Sequence, residues 1–320
     1  MLRKLAVAAL SAVAVCATLI GPDPTTASAA DNAHRGTWVW QGLDMIQSTS
    51  AQDAFFAFAA APHGDSSFKL TTVYIATGDT SLTDTALTQK LRAFNRRAHS
   101  NGMKVEYLDG DKTWVVSRAA ADSTGVDHCQ KVVDFNAASS PSDRIDGVHY
   151  DIEPHTFDDG SWTTDTGAGT DAYNDTYEDN LVHILRTCHQ MGLGVTNDTP
   201  DWYAHDVQDI WNAYMAGGVV DYISVMNYHN TVDQWMNGYF GVGGINQDIA
   251  LDTGGLAMTF GAEVQPDPDL KGISFAESGY LCMKQAFDLS GQTYATDPKY
   301  WGVSVHYYQP FSNMAMGSGC

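Results

Sequence analysis

The chain has 320 residues and carries 17 Lys and Arg against 38 Asp and Glu, a formal net charge of −21. Phosphate backbones are held by clustered cations, so this balance excludes a nucleic-acid partner, and the acidity itself is read as solubility. No heptad, short repeat, low-complexity linker or break in composition marks a second domain.

Residues 1–30 have the order of an export signal. Arg3 and Lys4 precede an apolar run from Leu5 to Ile20, and small residues follow at Ala27, Ser28, Ala29 and Ala30. The run is too short for a comfortable membrane span. The expectation is a secreted, extracellular, monomeric protein whose single domain is residues 31–320, free of the membrane once the signal is removed. Beyond Cys16 in the leader, four cysteines remain: Cys129, Cys188, Cys282 and Cys320. None is spaced as Cys-x-x-Cys, and an even count in an exported chain reads as two disulfides.

Along the chain, short β-branched or aromatic runs alternate with longer helical stretches. Strands are expected at Gly36–Gln41, Thr71–Ala76, Lys104–Leu108, Gly147–Glu153, Gly194–Asn197, Tyr222–Tyr228, Leu256–Ala262 and Gly302–Tyr307. Helices are expected at Ala51–Ala61, Asp84–Asn101, Val126–Asn136, Tyr173–Met191, Asp206–Ala216 and Phe275–Leu289, with a stub near Gln309–Met316. Asn101-Gly102 and Met191-Gly192 supply C-terminal caps just before strands. Strands alternating with helices imply a parallel sheet, and eight such units imply a closed (β/α)8 barrel, the TIM-barrel class. No Gly-x-Gly-x-x-Gly follows the first strand, which argues against an open dinucleotide-binding sheet. This helix order pairs Cys129 with Cys188 on neighbouring helices, and Cys282 with the chain end at Cys320.

In a parallel barrel, chemistry collects at the carboxyl ends of the strands. Here those ends hold Asp109 and Asp111, Asp151 and Glu153, Asn197 and Asp198, Asn227, Tyr228 and His229, Glu263, and His306. Trp38, Trp40, Trp114, Trp202, Tyr203 and Tyr307 stand nearby. Flat aromatic faces pack on sugar C–H surfaces while carboxylates and amides bind hydroxyls, so the set points to a carbohydrate ligand. The expected substrate contacts are Trp38, Trp40, Asp109, His149, Asn197, Asp198, Trp202, Asn227, His229 and His306. The plainer reading makes Asp111 and Asp198 helix caps and the two tryptophans barrel filling.

Strand four carries the strongest signal. Side chains alternate between faces, so His149, Asp151 and Glu153 share one face and Val148, Tyr150 and Ile152 the other. The apolar set packs against helices, which turns the polar set into the barrel. Like charges two positions apart drive one carboxyl pKa upward, which keeps an acid protonated near neutral pH.

The run Asp146-Gly147-Val148-His149-Tyr150-Asp151-Ile152-Glu153 resembles the Asp-Gly-x-Asp-x-Asp-x-Glu signature of family-18 glycoside hydrolases, the chitinase group. Met226-Asn227-Tyr228-His229 resembles that family's Met-x-Tyr-Asp at strand six. The resemblance implies a divergent relative in which Glu153 is the general acid. Asp151 would orient the substrate's acetamide as it attacks the anomeric carbon, and the Tyr228 hydroxyl would help hold it. His149 and His229 stand where the family has aspartates, and His306 where it has a tryptophan. A second mechanism stays open, in which Glu263 is the nucleophile and Glu153 the acid/base, with carboxyls about 5–5.5 Å apart.

Two other classes of function fit parts of the sequence. His149, Asp151, Glu153, His155, His229 and His306 have metal-ligand chemistry, but four ligands along one strand span too far to share an ion, and no metal or cofactor is expected. A non-catalytic sugar-binding barrel is the more serious alternative. The Asp-, Gly- and Thr-rich segment Thr156–Asp175 is expected to overhang the site, with Trp162 as a stacking platform.

Overall fold

The computed structural model describes residues 34–167 and 169–320. The leader expected at 1–30 lies outside the described residues. Eight parallel strands close in sequence order: β1 (His34–Val39), β2 (Thr72–Ile75), β3 (Lys104–Asp109), β4 (Gly147–Tyr150), β5 (Gly194–Pro200), β6 (Tyr222–Met226), β7 (Ala257–Glu263) and β8 (Tyr300–His306). The (β/α)8 barrel is thus the fold. The principal outer helices are α1 (Thr49–Ala60), α2 (Thr85–Ser100), α3 (Asp127–Ala137), α4 (Asp175–Gln190), α5 (Gln208–Met215), α6 (Ile245–Leu251), α7 (Tyr280–Thr293) and α8 (Tyr308–Asn313). None of the described helices is long and apolar enough to cross a membrane.

Alternation along each strand explains the layering. Val148 and Tyr150 of β4 turn outward into the helix layer, where the Tyr150 hydroxyl donates to the Gly125 carbonyl at 2.9 Å. The Cys129–Cys188 bridge lies against that hydroxyl and ties α3 to α4; Cys282 of α7 is bridged to Cys320 at the chain end. The inward faces are unusually polar. His34, Tyr74, Ser304 and Thr259 form one hydrogen-bonded run across the barrel floor. Gly36 makes room for it, because a Cβ there would stand 2.5 Å from the Tyr74 hydroxyl. Trp38, Tyr74 and Leu108 are the apolar plug above.

Two expected boundaries shift for identifiable reasons. β4 ends at Tyr150 rather than Glu153, because the Ile152 N–H is taken by the Asn197 side chain at 3.1 Å and Pro154 has no N–H to give. β5 instead runs on to Pro200, since Asp198, Thr199 and Pro200 pair with Ser224, Val225 and Met226 of β6. The segment after β4 is also not a free lid. Trp162 is buried, stacked on Tyr173 at 5.0 Å and Tyr203 at 6.1 Å, so it is a packing residue and not an exposed platform.

Candidate functional site

At the mouth of the barrel is a cavity of about 450 Å³ whose wall includes Glu153, His155, Asp201, Trp202, Tyr228, His229 and Tyr239. Glu153 follows β4 on the irregular turn that Pro154 begins. Its Oε1 lies 3.7 Å from His155 Nε2, and His155 is itself held by the Tyr203 hydroxyl through Nδ1 at 3.1 Å. Burial holds the His155 ring neutral near neutral pH, lowering its pKa to about 4. Burial, then the charge of Asp198, lifts the Glu153 carboxyl to about 7. Asp151 is raised well above the ordinary carboxylate range, first by burial and then by the charges of Asp198 and Glu153. Two crowded acids therefore stand at the mouth, each able to keep a proton where an exposed carboxylate would not.

The charge beneath them is organised by His149. Its ring is fully buried and stacked on Tyr74, with centroids 3.8 Å apart. Nε2 faces Asp198 Oδ1 at 2.9 Å, while Nδ1 faces Glu106 Oε2 at 3.3 Å and the Tyr222 hydroxyl at 3.2 Å. Burial opposes the charged ring, but the charges and hydrogen bonds of Asp198 and Glu106 outweigh it and carry the pKa to about 9. The ring is an imidazolium between two carboxylates. Asp198 also accepts from Trp38 Nε1 at 2.9 Å and Ser224 Oγ at 2.7 Å, so its carboxylate is held in place by three partners.

Several expected substrate contacts are thereby reassigned. His149, Asp198 and Trp38 are buried and are not among the residues that line the cavity. Asp109 faces outward from β3, where its Oδ2 meets His128 of α3 at 3.1 Å. Asn197, one position from Asp198, also faces outward and replaces a strand partner for both the N–H and the carbonyl of Ile152. Asn227 turns behind β6 and donates to the Trp235 carbonyl at 3.0 Å. Asp111 caps the short helical turn Lys112–Val115.

Glu263 is bound into a hydrogen-bonded network of its own. Its Oε1 accepts from the backbone N–H groups of Val264 and Gln265 at 2.8 and 2.6 Å, and its Oε2 is 2.7 Å from His306 Nδ1. Trp40 Nε1 donates to His306 Nε2 at 3.0 Å, so the ring proton belongs on Nδ1 and is given to Glu263. With both oxygens engaged, Glu263 braces His306 and, through it, Trp40, and it is not among the residues that line the cavity.

The expected residues that do converge on the cavity are Glu153, Trp202, Tyr228 and His229, with Asp151 immediately below. Tyr228 presents one ring face to His306, with centroids 6.0 Å apart. His229 Nε2 pairs with Asp201 Oδ2 at 2.9 Å. Asp201, Tyr239 and the wall role of His155 were missed. Asp201 sits three residues beyond Asp198, past the expected strand end, and Tyr239 lies in a stretch with no readable period.

No family model matches the chain, and no curated protein matches it. Among solved structures the chain is similar to a chitinase from Chromobacterium violaceum, at 10% identity over 88% of this chain and 97% of that one, TM-score 0.45. It is similar to the chitinase-like agglutinin RobpsCRA from Robinia pseudoacacia, at 10% identity over 88% and 98%, TM-score 0.47. It is also similar to a D-psicose 3-epimerase from Clostridium cellulolyticum H10, at 11% identity over 86% and 84%, TM-score 0.48. Likeness at this level adds nothing to the barrel already described.

Proposed function

We propose that the protein is a secreted glycoside hydrolase, divergent from family 18, that cleaves an oligo- or polysaccharide containing 2-acetamido sugars. The observation that carries this reading is the Glu153 carboxyl, set in the cavity wall with its pKa lifted to about 7. An acid of that strength is about half protonated at neutral pH and can donate to a leaving glycosidic oxygen. Asp151, one layer deeper, and the Tyr228 hydroxyl are the groups that hold the acetamide as it attacks the anomeric carbon. Trp202 and Tyr239 offer flat walls to the sugar faces.

Digestion of a panel of N-acetylated and non-acetylated glycans, read by mass spectrometry, tests the proposal. The expected result is cleavage confined to substrates with an acetamido group at the cleaved unit. Tyr228→Phe, which removes a hydroxyl and leaves the ring, is expected to lower that turnover by about 10²-fold. Binding across the panel without a cleaved product would replace hydrolysis by recognition. Cleavage of sugars lacking the acetamide would remove the assisted route.

A further inference from the structure

Beside the cavity wall, three carboxylates from three separate elements converge. Asp171 comes from the segment after β4, Glu178 from the first turn of α4 and Asp209 from the first turn of α5. One carboxylate oxygen of each lies within 4.8 Å of the others. Asp171 and Asp209 each accept on both oxygens while keeping lone pairs free: Asp171 Oδ1 from the Tyr173 N–H at 2.9 Å and Oδ2 from the Gln208 N–H at 2.7 Å, and Asp209 Oδ2 and Oδ1 from the Thr170 N–H and Oγ1 at 2.8 and 2.6 Å. Glu178 is different. It is only 2% exposed, and neither of its oxygens has a hydrogen-bond partner. Among the described residues none of the three is ion-paired to Lys, Arg or His. Burying a carboxylate without donor or counter-charge is strongly unfavourable, and a cation held among the three groups would relieve that cost.

We infer that Asp171, Glu178 and Asp209 bind calcium, which joins the segment after β4 to α4 and α5. Calcium takes six to eight oxygens at about 2.3–2.6 Å, so oxygens on opposite sides of the ion are up to about 5 Å apart, the spread found here. Magnesium demands a near-octahedral shell at about 2.0–2.1 Å, tighter than a group of carboxylate oxygens spread over almost 5 Å offers. A second group, Asp79, Asp109 and His128, is not without a counter-charge, because Lys131 Nζ already stands 2.6 Å from Asp79.

The inference amends the expectation of no metal and is independent of the hydrolase reading. It also gives the ion a purpose. Tyr173, two residues after Asp171, lies 6.0 Å from Trp202 and 5.0 Å from Trp162, so fixing Asp171 fixes the aromatic backing of the cavity wall.

The test uses the full chain, stripped with EGTA and titrated with calcium chloride by calorimetry, with thermal unfolding followed in parallel. The expected result is a single calcium per chain and a Tm higher by about 5 °C in saturating calcium than in EGTA. Magnesium at the same concentration should give a smaller rise. Glu178→Gln removes the buried charge, so in EGTA it should unfold no lower than wild type while losing the calcium response. Asp209→Asn, at a half-buried position, gives the same readout should Glu178→Gln not fold. Stripped wild type that binds no calcium, variants that bind it as tightly as wild type, or an equal response to magnesium would each overturn the inference.

Discussion

Glu153→Gln is expected to lower turnover by about 10²–10⁴-fold, the usual contribution of a general acid, while glycan affinity stays near wild type. The amide fills the same space beside His155 and keeps one face able to hydrogen-bond, but has no proton to transfer. The size of the effect follows from the surroundings. Burial and the charge of Asp198 raise the carboxyl to about 7, so on the proposed mechanism its proton is available at neutral pH. The checks are kcat on the substrate found by the panel and Kd by calorimetry. A folded variant with wild-type turnover would rule out Glu153 as the acid.

His149→Phe is expected to destabilise the fold by about 3–5 kcal/mol, because it leaves Asp198 and Glu106 buried without the cation between them. Phe keeps a flat ring for the stack on Tyr74, so the loss reports charge and hydrogen bonding more than volume. Its pH dependence has a definite sign. The His149 pKa is raised in the folded protein, from 6.5 to about 9, so its contribution is complete below pH 6.5 and is lost as pH rises through about 9. Wild-type Tm should therefore fall between pH 7 and 9 by more than that of the variant. Urea unfolding at neutral pH gives the first quantity and calorimetric scans the second. A loss under ~1 kcal/mol, the scale of an ordinary substitution, would show that the triad is not held together by the imidazolium.

The barrel was legible because its signal is local and repeated: eight short strand runs alternate with helical stretches, two of which end in glycine caps, and the outward Val148 and Tyr150 name the inward face of β4. The same alternation rule, applied to the other strands, separates true from false site residues. Asn197 and Asp198 are adjacent and must face opposite ways, as must Asn227 and Tyr228; only Asp198 and Tyr228 turn inward. What alternation cannot reach is pairing across the barrel. Nothing in the sequence near Glu263 says that two backbone N–H groups and His306 will occupy its oxygens. Trp162 reads as a loop aromatic until Tyr173 and Tyr203 close on it. Glu178 reads as an ordinary first-turn acid of a helix, since its burial depends on where the preceding segment folds back. Asp171, Glu178 and Asp209 have no fixed spacing that a motif would register.

The account rests most heavily on the Glu153 carboxyl being tuned by what lies beneath it. Its titration can be followed by 13C NMR, with the resonance assigned by its loss in Glu153→Gln. In the wild-type protein the midpoint should lie at about 7, and in Asp198→Asn, which removes the buried anion below, it should move to lower pH. A wild-type midpoint at the ordinary glutamate value of 4.5, unmoved by Asp198→Asn, would contradict the account.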